Sequence, residues 1–160
     1  MGSFYRSKHE LVAVFKVGSV PHINNVELGR HGRNRTNVWD YAGVNTFKAS
    51  RLDELAIHPT VKPVALVADV LRDASRRSDL VLDPFAGSGT TIIAAEKTGR
   101  EACALEIDPT YADVIVQRWQ SYTGRPALLG ATGATFEELT EQRQTGPKAP
   151  SPAPADPGAR

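Results

Sequence analysis

The chain is poor in the side chains that build disulfides and metal centres. Its single cysteine, Cys103, excludes a disulfide framework within the chain and a C-x-x-C metal site. The four histidines lack the spacing of metal ligands. No apolar run approaches the roughly 18 residues that a membrane helix needs, and residues 1–10 lack the apolar stretch of a signal peptide. These absences predict a cytoplasmic protein that uses neither a membrane nor a metal.

The formal net charge of +1 conceals two regions of opposite sign. Residues 1–62 contain nine Lys and Arg against five Asp and Glu, which gives +4. Residues 63–123 contain six against nine, which gives −3. The total is therefore a cancellation between a basic first part and an acidic middle. A length of 160 residues is that of one domain.

Apolar patterning predicts an α/β domain. Residues 10–16 are almost continuously apolar, as in a strand buried on both faces. Residues 17–57 lack sustained periodicity, apart from a short strand candidate at 37–41, and such a long irregular stretch suggests a functional loop region. Regular elements follow: a helix starting near Thr60 to Pro63, a strand at 80–83, a helix at 90–97, a strand at 102–107 and a helix at 109–122. This alternation with short loops predicts a parallel sheet.

The end of the chain is expected to contribute little to the core. Residues 124–140 form an extension beyond the last predicted helix. Residues 141–160 contain five of the eleven prolines and no large apolar side chain. Such a segment cannot bury enough surface to offset the entropy of ordering, so we predict that this tail is disordered.

Residues 83–91 (DPFAGSGTT) carry the strongest chemical signal. Gly87 and Gly89 remove side chains where a ligand would approach the backbone, and Thr90 opens a helix whose first N–H groups are free. Glu106 ends the next predicted strand, 19 residues after Gly87, where a carboxylate can accept hydrogen bonds from both ribose hydroxyls. A glycine turn alone is common, but strand, turn, helix and acid together predict an adenosine cofactor.

Two residues bear on which adenosine cofactor fits. Ile92 stands where a dinucleotide fingerprint has its third glycine. The carboxylate of Asp83 would repel a pyrophosphate but suits the sulfonium of S-adenosylmethionine. S-adenosylmethionine is therefore favoured, and a nicotinamide-dependent oxidoreductase remains an alternative.

The same residues resemble those of the DNA amino-methyltransferases, which methylate adenine N6 or cytosine N4. Residues 83–91 resemble the glycine motif of that family, and residues 58–63 (HPTVKP) resemble the motif that precedes it in the permuted, β-type members. Further similarities lie at residues 106–111 (EIDPTY), 37–39 (NVW) and 9–11 (HEL), and the resemblance covers roughly residues 3–123. It implies a partial Rossmann-like fold and methyl transfer from S-adenosylmethionine to double-stranded DNA, with adenine N6 favoured.

The resemblance also implies a set of site residues. Those around the cofactor would be Asp83, Phe85, Gly87 and Gly89 on the methionine side, Thr90 and Thr91 at the helix start, Glu106 at the ribose, and His58, Thr60 and Lys62 from the preceding motif. Those at the DNA would be Arg30, Arg33, Asn34 and Arg35. Solvated-surface roles remain open for Lys62 and for the basic loop.

The base-binding motif of the family, D/N/S-P-P-Y/F/W, is absent from the sequence. Residues 108–111 (DPTY) come nearest, but an Asp followed by Pro is typical of a helix start. In the permuted order this motif precedes every motif seen here, so we expect a C-terminal portion of a longer enzyme, or a truncated gene product, that lacks the catalytic strands. We therefore expect no catalysis by the chain alone and an unpaired apolar edge at residues 80–82. Alternatively, the chain complements a separate catalytic polypeptide.

Overall fold

The computed structural model describes residues 4–5, 9–30, 34–41 and 61–145. Within these ranges the elements are, in chain order, α1 (Val64–Ala74), β1 (Leu80–Asp83), α2 (Thr90–Thr98), β2 (Glu101–Ala104), α3 (Pro109–Thr123) and α4 (Phe136–Thr145). The predicted alternation of helices and strands from residue 64 to residue 123 is confirmed. The predicted helix start at Thr60 lies outside the described residues.

The two strands form a parallel pair, as predicted. Leu80 lies opposite Glu101, and Asp83 lies opposite Ala104. Helix α2 connects the strands, so both carboxyl ends lie at the same edge of the sheet. That edge is where open α/β sheets bind their ligands.

Local sequence signals set the ends of the helices. Gly99 ends α2 in the left-handed conformation, with φ of 71°. At the start of α3, the Asp108 carboxylate accepts a hydrogen bond from the Thr110 N–H at 2.8 Å, and Pro109 occupies the first turn. The interpretation of residues 108–111 as a helix start is thereby confirmed.

The core lies between α1 and α2. Ala68 on α1 and Ala94 and Ala95 on α2 are at most 1% exposed, because small side chains let the two helices approach closely. On the sheet, burial alternates along each strand, and one face is open. On that face Leu80 and Leu82 remain 66% and 65% exposed.

Two of the predicted strands do not form. Residues 10–16 form no strand, and Leu11 and Phe15 are almost fully exposed. A strand forms its backbone hydrogen bonds with neighbouring strands. In the part of the chain that the structure describes, no strand pairs with residues 10–16. Residues 37–41 form no strand either.

The two strands that do form are shorter or more exposed than predicted. β2 starts at Glu101 and ends at Ala104, rather than spanning 102–107. Because one face of the sheet is open, neither strand is fully buried. The expectation that Cys103 belongs to the core is wrong, since its side chain is exposed on that face.

The C-terminal part contains an unpredicted helix. Thr135 and Glu138 form a capping box: the Thr135 N–H donates to Glu138 Oε2 at 2.8 Å, and the Glu138 N–H donates to Thr135 Oγ1 at 3.2 Å. Helix α4 continues to Thr145, so the prediction of disorder is wrong for residues 141–145. The remainder of that predicted tail lies outside the described residues. Among the helices described, none is long and apolar enough to cross a membrane.

Candidate functional site

The loop at residues 84–89 joins β1 to α2 at the carboxyl edge of the sheet. Gly87 and Gly89 both adopt positive φ, at 53° and 76°, where a side chain would be strained. The loop is held to the strands, because the Ala86 N–H donates to the Leu105 carbonyl at 3.0 Å. Gly89 is also the N-cap of α2. Because glycine has no side chain, it offers the first N–H groups of the helix no side-chain acceptor.

Glu106 lies against this loop, as predicted from the spacing. Its Oε2 accepts a hydrogen bond from the Gly87 N–H at 2.7 Å, and its Oε1 accepts one from the Asp108 N–H at 3.0 Å. These N–H groups, Asp108 first and then Gly87, lower the pKa of Glu106 below its ordinary value because they favour the charged carboxylate. Each carboxylate oxygen has lone-pair capacity left for a ligand.

Exposed apolar side chains flank the acid and the loop in sequence. Phe85 is 88% exposed, and its N–H donates to Asp83 Oδ1 at 3.0 Å, which fixes the start of the loop. Ile107 is 99% exposed and directly follows Glu106. Sequence reasoning included Phe85 but missed Ile107. The available signal was an apolar residue that comes directly after an acid at the end of a strand.

Lys62, in the described part of the motif at residues 58–63, contacts the start of α2 through its backbone. The buried hydroxyl of Thr90 donates to the Lys62 carbonyl at 3.3 Å. The Lys62 ammonium instead forms an ion pair with Glu10 at 2.5 Å. Thr91 follows in the first turn of α2 and is half-buried. Two predicted cofactor residues, His58 and Thr60, lie outside the described residues.

The predicted DNA-contact residues fall into different environments. Arg35 forms ion pairs with Asp73 at 2.8 Å and Asp69 at 3.3 Å, both on α1, and its guanidinium lies 4.3 Å from the centre of the Trp39 ring. Its charge is thus engaged within the chain in the absence of DNA, and its predicted contact with DNA stays a prediction. Arg30 is largely exposed and pairs with Glu27 at 3.1 Å. Asn34 is exposed, and Arg33 lies outside the described residues.

Tyr41 completes the contact between this segment and α1. Its hydroxyl donates to Asp69 Oδ2 at 2.5 Å. Burial, followed by this bond to Asp69, raises the pKa of Tyr41. The same hydrogen bond is the largest cause that lowers the pKa of Asp69, with help from Arg72 and Arg35. Segment 34–41 is therefore fixed to α1 by charged side chains rather than by strand pairing.

Comparison with known proteins identifies the family. The sequence profile of the N6/N4 DNA methylase family matches residues 4–117, which is more than half of the chain. The chain belongs to the DNA methylase family. The match includes the glycine loop, Glu106 and segment 34–41.

Individual DNA methylases show how much of a relative this chain spans. It is 36% identical over 90 residues to the type II methyltransferase M.ScaI of Streptomyces caespitosus, covering 56% of this chain and 30% of that protein. It is 40% identical over 82 residues to the DNA adenine methyltransferase YhdJ of Escherichia coli K12, covering 51% and 26%. The chain thus spans less than a third of either relative.

Among the solved structures that are similar, one example matches 46% of this chain. It is the putative DNA modification methylase TTHA0409 of Thermus thermophilus, in complex with S-adenosyl-L-methionine. The identity is 36%, the TM-score is 0.38, and the match covers 46% of this chain and 27% of the other. Within the described ranges of this chain, no group of three or more His, Cys, Asp or Glu side chains could hold a metal ion.

Proposed function

We propose that this chain is the S-adenosylmethionine-binding part of a DNA amino-methyltransferase of the permuted, β type. The observation that carries the proposal is the Glu106 carboxylate, held 2.7 Å from the Gly87 N–H at the carboxyl edge of two parallel strands. In a DNA methylase, an acid facing a glycine loop at this edge is suited to the ribose of an adenosine cofactor.

The residues at this edge fit S-adenosylmethionine. The Glu106 carboxylate keeps acceptor capacity for ribose hydroxyls, and the exposed side chains of Phe85 and Ile107 offer apolar surface to a purine ring. Asp83 ends β1 beside the loop, where a carboxylate favours a sulfonium and disfavours a pyrophosphate. When bound, this cofactor supplies an activated methyl group.

The reaction we propose is methyl transfer to an exocyclic amino group of a base in double-stranded DNA, with adenine N6 favoured. The residues of this chain bind and orient the cofactor. Arg30, Arg33, Asn34 and Arg35 remain candidate phosphate or base contacts. Because the 160 residues contain no D/N/S-P-P-Y/F/W tetrapeptide to bind the extruded base, we propose that they bind cofactor but do not turn over alone.

A second function is favoured by the open face of the sheet. Leu80 and Leu82 expose apolar surface on β1, which pairs only with β2 within the described ranges. Such a strand is suited to pairing with further strands. In this alternative the chain is a cofactor-binding or DNA-binding module that complements a separate catalytic polypeptide, and together they form the Rossmann-like fold.

Calorimetry on the chain tests the cofactor proposal. We expect S-adenosylhomocysteine to bind and NAD to bind far more weakly. Glu106→Gln should weaken S-adenosylhomocysteine binding by about tenfold, since hydrogen bonds to a charged group are lost. The matched control is Glu101→Gln, at the opposite end of β2, which should leave the affinity unchanged.

Two results would overturn the cofactor assignment. One is preferential binding of NAD, which would indicate a nicotinamide-dependent oxidoreductase. The other is equal loss of affinity in both glutamine variants, which would show that the acid at the carboxyl edge has no special role. Tritiated methyl transfer to mixed duplex DNA, measured in parallel, should give no turnover by the chain alone.

A further inference from the structure

Arg118, on the third turn of α3, reaches the glycine loop. Its Nη1 donates to the Ser88 carbonyl at 2.9 Å and lies 3.2 Å from Ser88 Oγ and 3.4 Å from Thr90 Oγ1. Ser88 and Thr90 are both buried. A guanidinium that donates to a carbonyl and hydroxyls in a part-buried position makes a charge-assisted contact, which is stronger than a neutral hydrogen bond.

The same helix contacts the next residue of the loop. A Cβ placed on Gly89 would lie 3.1 Å from both Cγ1 and Cγ2 of Ile115. Ile115 and Arg118 are three residues apart and so share a face of α3. That face therefore backs the loop at two consecutive positions, Ser88 and Gly89.

These contacts fix one peptide unit from both sides. In a trans peptide the carbonyl of Ser88 and the N–H of Gly89 point in opposite directions. Arg118 binds the carbonyl, while the Gly89 N–H donates to the Ala86 carbonyl at 2.8 Å. The orientation of this peptide sets the path of the loop between Gly87, whose N–H binds Glu106, and the first turn of α2.

We propose that Arg118 is a positioning residue for the cofactor loop. Helix α3 orients both halves of the site: at its N-terminus the Asp108 N–H binds Glu106, and further along Arg118 holds Ser88. The loop and the acid are thus set relative to each other before a ligand arrives, which lowers the cost of ordering on binding. This inference rests on the proposed function, because it names how the same cofactor site is held.

The test compares two arginines of the α3 region. Arg118→Met removes the contact with the loop, and Arg118→Lys keeps the charge without the planar fork. Arg125→Met is the matched control, because Arg125 pairs with Glu96 and stacks on Trp119 at 4.9 Å. Each variant of the full chain is measured for S-adenosylhomocysteine affinity, for thermal melting, and for amide hydrogen exchange of residues 86–90 without ligand.

We expect Arg118→Met to weaken the affinity by about tenfold and to speed exchange in residues 86–90. Arg118→Lys should restore part of both. Arg125→Met should leave affinity and loop exchange unchanged even where it lowers the melting temperature. Because a purely structural role would move the melting temperature without a selective loss of affinity, these readouts separate the two roles.

The outcomes distinguish this inference from the proposed function. If the unaltered chain binds S-adenosylhomocysteine and Arg118→Met binds it equally, with unchanged loop exchange, the inference is overturned and the proposed function stands. If the unaltered chain does not bind S-adenosylhomocysteine, both fail. Should Arg118→Met not fold, Arg118→Lys decides, and wild-type affinity and loop exchange in that variant would overturn the inference.

Discussion

The glycine at position 89 is explained by the structure differently from the way the sequence motif explains it. The glycine motif predicts that the absent side chain makes room for a ligand. In the structure a Cβ at Gly89 would point toward Ile115 of α3, inside the protein. Its φ of 76° adds a second constraint, since side chains rarely adopt this region. The position therefore favours glycine because of backbone conformation and packing.

Substitution of Gly89 tests this packing. Gly89→Ala should lower the free energy of unfolding by more than the ~1–2 kcal/mol that a left-handed non-glycine residue costs, because the methyl also meets Ile115. Gly124→Ala is the matched control: its φ of 68° is similar, but nothing lies within 4 Å of its Cβ position. Urea unfolding of both variants measures the difference. Equal losses would show that the contact with Ile115 adds nothing.

The sequence predicted those site residues that follow from spacing along the chain. Gly87 and Glu106 could be paired because a helix of known length separates two parallel strands. Arg118 could not be assigned to the loop, because its role depends on how α3 packs against α2. Ile107 had a weak signal, since it directly follows an acid at the end of a strand, but its exposure could not be predicted because an apolar residue near a strand is ordinary.

At the scale of elements, two segments that precede α1 in the chain attach to it through polar groups, in addition to its apolar contact with α2. Asn25 donates from its side chain to the carbonyls of Arg72 and Ser75 at 2.7 and 2.8 Å, near the C-terminal end of the helix. Segment 34–41 is fixed further along by Arg35 and Tyr41. Contacts with α1 thus hold residues 37–41 in place, instead of the strand pairing that was predicted for them.

Asp69 should make this attachment dependent on pH. Its folded pKa is lowered, first by the Tyr41 hydroxyl, so the stabilisation is present above the unfolded pKa and is lost as pH falls through the folded pKa. Asp69→Asn should therefore cost about 1 kcal/mol at neutral pH, and the difference from the unaltered chain should shrink under acid conditions.

Urea unfolding at neutral pH and at about pH 3 measures this dependence. Asp113→Asn, an exposed position on α3, serves as the control and should cost little at either pH. The free energy of unfolding of Asp69→Asn is compared with that of the unaltered chain at both pH values. If the difference is the same at the lower pH, the charge of Asp69 does not have the role assigned to it.

Helices with internal periodicity and glycine or Asp-Pro ends could be predicted from sequence, as α2 and α3 show. The strand at residues 10–16 could not, because β-branched composition reports the suitability of a segment for pairing and not the presence of a neighbour. α4 was missed although Thr135 and Glu138 have the spacing of a capping box. It was missed because the helix is mostly polar, with acidic residues in its first turn, and so lacks a clear apolar periodicity.

At the scale of the whole molecule, we expect the sheet face that carries Leu80 and Leu82 to control self-association. The alternation along β1 places both leucines on one side, and the register places exposed Cys103 opposite Leu82. Contiguous apolar surface beside a strand with one described partner is a site of association. The open face is suited to packing against another layer, while the edge of β1 is suited to pairing with further strands.

Leu80→Lys should reduce self-association of the chain. The new ammonium would stand opposite Glu101 in the parallel register, so it gains an opposite charge while it interrupts the apolar surface. Leu28→Lys is the matched control, because Leu28 is 68% exposed, close to the 66% of Leu80, but lies outside the sheet. Sedimentation velocity over a concentration series should show a smaller associated fraction for Leu80→Lys alone. An equal reduction in both variants would mean that added charge, rather than the sheet face, controls association.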